Sequence, residues 1–160
     1  MYNKQILILG SLTILSLLGC QKKDPNLMVA TEISAGWTFR QADKEEWLPA
    51  TVPGCVHIDL LENGKIEDPF YRLNEHQLQW IDKVNWEYKT SFNVDEATFK
   101  RDRLALDFKG LDTYADVFVN GTQVLSADNM FREWLVDVKP QLKTGANELR
   151  ILFRSPIVEG

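Results

Sequence analysis

Cysteine and histidine are scarce in this sequence, two of each in 160 residues. Metal centres are built from clustered His, Cys and carboxylate ligands. His57 and His76 fall in different segments without a second ligand at useful spacing, so no metal site is indicated. A surplus of positive charge is missing as well: 18 Lys plus Arg face 23 Asp plus Glu, for a net charge of −5. Nucleic acids and anionic membrane surfaces attract proteins through basic stripes, which argues against both as nonspecific partners. No Walker loop, GxGxxG turn or GxSxG elbow occurs, and phosphate, dinucleotide and serine-hydrolase chemistry lose their best support. Repeats and low-complexity runs are absent, and no apolar stretch reaches the roughly 20 residues that a bilayer-spanning helix requires.

Apolar residues make up 44% and charged residues 26%, enough for a packed core and too little bias for disorder or a coiled coil. The length is that of one domain or of part of a larger protein. Aromatics reach 11%, with Trp37, Trp47, Trp80, Trp86 and Trp134 among them; a dense β core or sugar stacking explains such richness equally well. Trp86, Tyr88, Thr90, Phe92 and Val94 alternate with polar residues and predict a half-buried strand. Leu104–Phe108, Ala115–Val119 and Leu149–Phe153 repeat the pattern. Asn120-Gly121 fits a tight hairpin turn with two positive φ angles, and Gly145 supplies a second turn signal. Helix is expected only at Val56–Glu62 and, as a second short piece, from Asn74 to Ile81. This mixture predicts an all-β antiparallel sandwich of jelly-roll type with one or two short helices.

The N-terminus reads differently. Lys4, the apolar run Ile6 to Leu18 and a small residue before Cys20 form an export signal over residues 1–19. Leu17-Leu18-Gly19-Cys20 resembles a bacterial lipobox, which implies a diacylglycerol on the Cys20 thiol and a membrane contact through that lipid. Residues 20–26 then form a lipidated polar tether, residues 27–160 the folded domain, and the bacterial cell envelope is the expected location. Lipidation of Cys20 leaves Cys55 without a disulfide partner. Cys55 stands near His57, but with no further acid constellation it is expected to be a buried structural thiol rather than a nucleophile.

Glycoside hydrolysis needs two rigidly held carboxyl groups, for which Asp43, Glu45, Glu46, Glu62, Glu67, Asp68 and Glu75 qualify by type alone. Nothing in their local pattern suggests burial, so they are expected to be solvated surface charges. Trp86 is expected in the core by its place in the alternating strand; Trp37, Trp47, Trp80 and Trp134 remain open between core packing and sugar stacking.

Two longer motifs are more specific. Val52-Pro53-Gly54-Cys55-Val56-His57-Ile58-Asp59-Leu60-Leu61, followed by Asp68-Pro69-Phe70-Tyr71-Arg72-Leu73-Asn74-Glu75, resembles the N-terminal sugar-binding domain of family 2 β-mannosidases. Phe108 to Gly121 and Ala127-Asp128-Asn129-Met130-Phe131 are similar to the same family, so the likeness runs from Gly36 to Pro156. The resemblance implies a galactose-binding-like jelly roll and an exo-acting, retaining enzyme that removes terminal non-reducing β-D-mannose from oligosaccharides. It places the catalytic Glu residues on a TIM barrel downstream, with none in this segment, and implies no cofactor. Asn74-Glu75 imitates the family's acid/base dipeptide, but it falls inside the sandwich motif with no barrel strand before it. The family's Trp-Asp pair from a late strand of this domain is absent from residues 1–160, which implies a sandwich incomplete at its C-terminal end. Asp68, Tyr71 and Asn74 are the residues expected to face substrate, with a purely turn-forming role as the alternative. The rival readings are a stand-alone carbohydrate-binding surface lipoprotein and a family 2 β-galactosidase or β-glucuronidase.

Overall fold

The structure, a computed structural model, describes residues 28–159. The export segment 1–19, the tether 20–26 and Cys20 lie outside the described residues. Residues 28–31 carry no regular element and lie outside the unit that begins at Glu32, which holds every element named below.

Eight strands run β1 (Thr38–Gln41), β2 (Leu48–Pro49), β3 (Trp86–Val94), β4 (Ala105–Phe108), β5 (Tyr114–Val119), β6 (Thr122–Ala127), β7 (Trp134–Asp137) and β8 (Gly145–Arg154). Three short helices, α1 (Val56–Glu62), α2 (Glu96–Phe99) and α3 (Pro156–Glu159), and three 3-10 turns complete the described elements. One sheet has six strands in the order β2-β1-β3-β8-β5-β6, the other pairs β4 with β7, and all the pairings are antiparallel. The all-β sandwich expected from the alternating runs is therefore present.

The register shows why alternation made these strands. Phe39 stands opposite Tyr88, Tyr88 opposite Ile151, and Ile151 opposite Val117, so one face of four strands is a continuous apolar surface. Phe39 has its ring centroid 5.9 Å from Trp86 and 5.6 Å from Tyr88. Leu106, Phe108, Trp134 and Val136 of the smaller sheet pack against this cluster, and Leu60, Ile81, Leu111 and Val138 close it from the connections. Burial of such side chains contributes roughly 25 cal/mol per Å² of apolar surface removed from water.

The connection between β5 and β6 is the tight turn that Asn120-Gly121 predicted, with φ of 49° and 83°. Asn120 also donates to Asn147 Oδ1 at 2.8 Å and accepts from the Glu148 amide at 3.0 Å. Buried Asn147 donates in turn to the Lys143 and Gly145 carbonyls, so two turns at this end are sewn together by side-chain amides. A bulge shifts the β5–β6 register between Val117 and Phe118.

Three local expectations need correction. The second helix, Asn74 to Ile81, is two 3-10 turns, Asn74–Gln77 and Ile81–Lys83. Leu78, at the end of the first turn, packs against the core, and Ile81, opening the second, is buried in it. Helices α2 and α3 were not foreseen. Asp95 caps α2 by accepting from Thr98 N at 2.6 Å, which holds its carboxyl below the usual carboxylate range, and Ser155 Oγ accepts from Val158 N at 3.2 Å at the start of α3.

The third correction is Cys55, which is exposed rather than buried. It occupies the N-cap of α1 in extended backbone, φ −144° and ψ 157°, and makes no side-chain cap bond. Cys55→Thr is expected to raise stability by about 0.5–1 kcal/mol, because a hydroxyl caps where a thiol does not. A fall in melting temperature would show that the thiol contributes packing instead. Preceding Gly54 tolerates no such change, since a β-carbon there would overlap the Thr51 carbonyl oxygen.

Candidate functional site

The loop that carries Asp68, Tyr71 and Asn74 connects α1 to β3. Asp68 Oδ1 accepts from Phe70 N at 2.9 Å, Tyr71 N donates to the Asp68 carbonyl at 3.1 Å, and Asn74 Nδ2 donates to the same carbonyl at 2.9 Å. The structure thus brings the three residues together, with Asp68 and Asn74 building the turn and Tyr71 riding on it, exposed. Arg72 holds a positive φ of 54° and lays its guanidinium 5.1 Å from the Tyr71 ring centroid. Beneath the loop an open cleft of about 160 Å³ is lined by His57, Pro69, Glu75, Leu78, Gln79 and Asp82.

The anchor under this region is a residue that sequence reasoning passed over. Asp59, 1% exposed, lies in the first turn of α1. Its Oδ1 accepts from Thr51 N at 2.8 Å and its Oδ2 from Tyr88 Oη at 2.7 Å. One carboxylate therefore ties the strand-to-helix connection to the central strand β3. Burial, reinforced by the Asp59 hydrogen bond, pushes the Tyr88 phenol upward, so it remains a donor at neutral pH. The available signal was an acid in the otherwise apolar Ile58-Asp59-Leu60-Leu61 run.

The tryptophans separate by environment. Trp37 and Trp86 are buried, and their indole N–H groups donate to Ile33 O at 2.8 Å and Ile81 O at 2.9 Å. Trp47 is covered by Arg40 and Lys89, 4.5 and 3.9 Å from its ring centroid, and Trp134 by Arg132 at 4.1 Å. Trp80 is 39% exposed, its ring 5.9 Å from Trp86, and is the most exposed of the five. The acidic residues considered above, Asp43, Glu45, Glu46, Glu62, Glu67, Asp68 and Glu75, are all exposed, as expected. Glu87 is the exception among acids on the strands, buried on the outer sheet face between Arg40 at 2.5 Å and Arg150 at 2.7 Å. Among the described residues no group of three His, Cys, Asp or Glu is placed to hold a metal ion.

A six-stranded antiparallel sheet facing a two-stranded one is the architecture of a galactose-binding-like domain. The chain belongs to the glycosyl hydrolase 2 galactose-binding domain-like family, whose sequence profile matches residues 37–160. It is 41% identical over 135 residues to β-mannosidase B of Thermothelomyces thermophilus, covering 82% of this chain and 16% of that protein. Among solved structures it resembles the β-D-mannosidase of Dictyoglomus thermophilum, with 40% identity, a TM-score of 0.79, and coverage of 81% of this chain and 16% of that one. An exo-chitosanase of Amycolatopsis orientalis follows at 29% identity and a TM-score of 0.70, over 79% of this chain and 17% of that one. The chain therefore spans about one sixth of the length of the relatives it matches.

Proposed function

We propose that this chain is the N-terminal, non-catalytic domain of an exported, lipid-anchored β-mannosidase that releases terminal non-reducing β-D-mannose with retention. The observation that carries the reading is the higher identity to β-mannosidases than to the exo-chitosanase on the same fold. It coincides with the presence of both loop motifs, residues 52–61 and 68–75, described above. The two carboxyl groups of a retaining glycosidase, about 5 Å apart, belong to a downstream barrel in this reading. This domain contributes a wall to the sugar site: the Tyr71 hydroxyl, the second carboxylate oxygen of Asp68 and the Asn74 side-chain carbonyl are polar groups that the turn leaves outside its own hydrogen bonds. Cys20 carries the diacylglycerol that holds the enzyme at the bacterial envelope.

Hydrolysis of a chromogenic β-mannoside by the native polypeptide bearing this N-terminus tests the proposal, with residues 21–160 assayed alongside. Turnover by the native protein alone is expected, together with an acyl mass increment on its N-terminal peptide. A native chain that is inactive on β-mannoside but cleaves β-galactoside, β-glucuronide or β-glucosaminide moves the activity to another family 2 enzyme. Sugar binding without turnover of any of them makes the chain a carbohydrate-binding lipoprotein.

A further inference from the structure

Two asparagines of this chain are followed by glycine, in Asn63-Gly64 and Asn120-Gly121. Such a pair carries its own nucleophile and electrophile. The glycine nitrogen, having lost its proton to base from solvent, adds to the asparagine side-chain carbonyl carbon, and no β-carbon on the glycine screens the approach. The new carbon–nitrogen bond forms as the bond to the side-chain nitrogen breaks, that nitrogen leaves as ammonia with a proton from solvent, and a cyclic imide remains. Water opens the imide at either carbonyl, to aspartate or to isoaspartate, so the sum is one water taken up and one ammonia released. Crowding protects neither pair: a β-carbon added at Gly64 or Gly121 would meet nothing within 4 Å.

The two pairs are held in different ways. At the end of α1 the nucleophile itself is engaged, for Gly64 N donates to the Leu61 carbonyl at 2.9 Å. Asn63 Nδ2 donates to the Pro49 carbonyl at 2.9 Å and to the Asp59 carbonyl at 2.7 Å. At the β5–β6 turn the restraint falls on the side chain. Asn120 Nδ2 donates to the Gln141 carbonyl at 2.7 Å and to Asn147 Oδ1 at 2.8 Å, which uses both of its hydrogens, and Asn120 Oδ1 accepts from the Glu148 amide at 3.0 Å. The partners belong to the 3-10 turn Lys139–Gln141 and to β8, so the side chain is drawn across to the neighbouring strand rather than along its own turn. Asn147 is 1% exposed and is itself fixed, accepting from Lys143 N at 2.9 Å and donating to the Lys143 and Gly145 carbonyls at 2.8 and 2.9 Å. Asn120 is exposed, and its φ of 49° and the 83° of Gly121 keep the turn open to water.

We infer that Asn120 is a latent self-modification site, shielded from imide formation by its bonds to Gln141, Asn147 and Glu148 and converted to aspartate or isoaspartate when they open. The conversion is self-locking. A carboxylate at position 120 presents oxygens where the amide presented hydrogens, and these oxygens face the Gln141 carbonyl and Asn147 Oδ1, which are acceptors too. Neither bond re-forms, and the end of the sandwich held by the two asparagines stays open once it has been modified. Isoaspartate in addition lengthens the backbone by one atom inside a turn whose two positive φ angles set the hairpin.

The test follows the full native polypeptide at mildly alkaline pH below its melting transition, with peptide mass spectrometry scoring aspartate and isoaspartate at positions 63 and 120 and released ammonia measured alongside. Slow conversion at both positions is expected in the folded chain and fast conversion at both in urea. Asn147→Ala is expected to speed conversion at Asn120 about three- to tenfold, the ratio that one hydrogen bond of ordinary net strength sustains, while Asn63 keeps the parental rate. Equal acceleration at both positions reports general loosening, and no acceleration leaves the amide network without a shielding role; either result overturns the inference. Where Asn147→Ala does not fold, a urea series on the parent below its unfolding transition decides. Conversion at Asn120 is expected to rise in step with hydrogen exchange of the Glu148 amide, which reports the local opening. Conversion that waits for global unfolding, or a folded parent that converts Asn120 as fast as the unfolded chain does, overturns the assignment.

Discussion

Replacing Asp59 by alanine is expected to lower the stability of this domain by about 3 kcal/mol, a large part of the roughly 5–15 kcal/mol that holds a domain folded. The substitution strands two donors, the buried Tyr88 hydroxyl and the part-buried Thr51 amide. Each hydrogen bond to a charged group is worth about 1.5–3 kcal/mol. Tyr88→Phe removes one of the two bonds and should cost about half as much, and the double mutant should show a coupling of about 1 kcal/mol between the sites. Urea unfolding followed by tryptophan fluorescence measures all three; additive losses would mean that the Asp59–Tyr88 bond does not carry the effect. The pH dependence gives an independent check. The folded Tyr88 phenol is raised above its ordinary value of 10.0, so its contribution is fully present below that pH and is lost as pH rises beyond it. The Tyr88→Phe protein should lack this alkaline component.

Phe39→Ala is expected to cost about 3–5 kcal/mol. Phe39 is 0% exposed and sits on β1 against the rings of Trp86 and Tyr88. Truncation leaves a cavity lined by two rigid aromatics on the central strand, which has no freedom to collapse inward. Phe39→Leu keeps most of the volume and should cost less than about 2 kcal/mol. Urea midpoints together with the near-ultraviolet dichroism of the aromatic cluster report both. A Phe39→Ala protein with a midpoint equal to the parent's would place the core elsewhere.

These two residues also show what was legible in the sequence. Period-two alternation is a local signal, and it located β3, β5 and β8 because each has one face on the core. The Asn120-Gly121 turn was legible because few residue pairs accept two positive φ angles. Partners distant in sequence were not. Tyr88 announced a strand but not its bond to Asp59, 29 residues earlier. Glu87 occupies an outward position of the alternating pattern, yet Arg40 and Arg150 come from two other strands to cover it. For Cys55 residue type suggests burial, whereas the thiol stands exposed at the N-cap of α1. Of the candidate site, the grouping of Asp68, Tyr71 and Asn74 in one loop followed from their proximity in the chain. The turn bonds that occupy Asp68 and Asn74 became visible only in three dimensions.

The two margins of the six-stranded sheet differ from each other in a way that bears on self-association. A foreign strand approaching β2 meets only two residues, one of them Pro49 with no amide hydrogen to offer. One approaching β6 meets a ladder thrown out of step by the bulge at Val117 and Phe118. Strand-by-strand growth of the larger sheet into an ordered stack is obstructed on both sides. Among the described residues the β4–β7 pair also has open margins, and there Arg103–Asp137 and the Lys109 pairs with Asp107 and Glu133 are exposed charges that an incoming strand would have to match. A sandwich built this way carries exposed aromatics such as Phe70 and Phe131 without inviting its neighbours to polymerise along the strands of the larger sheet.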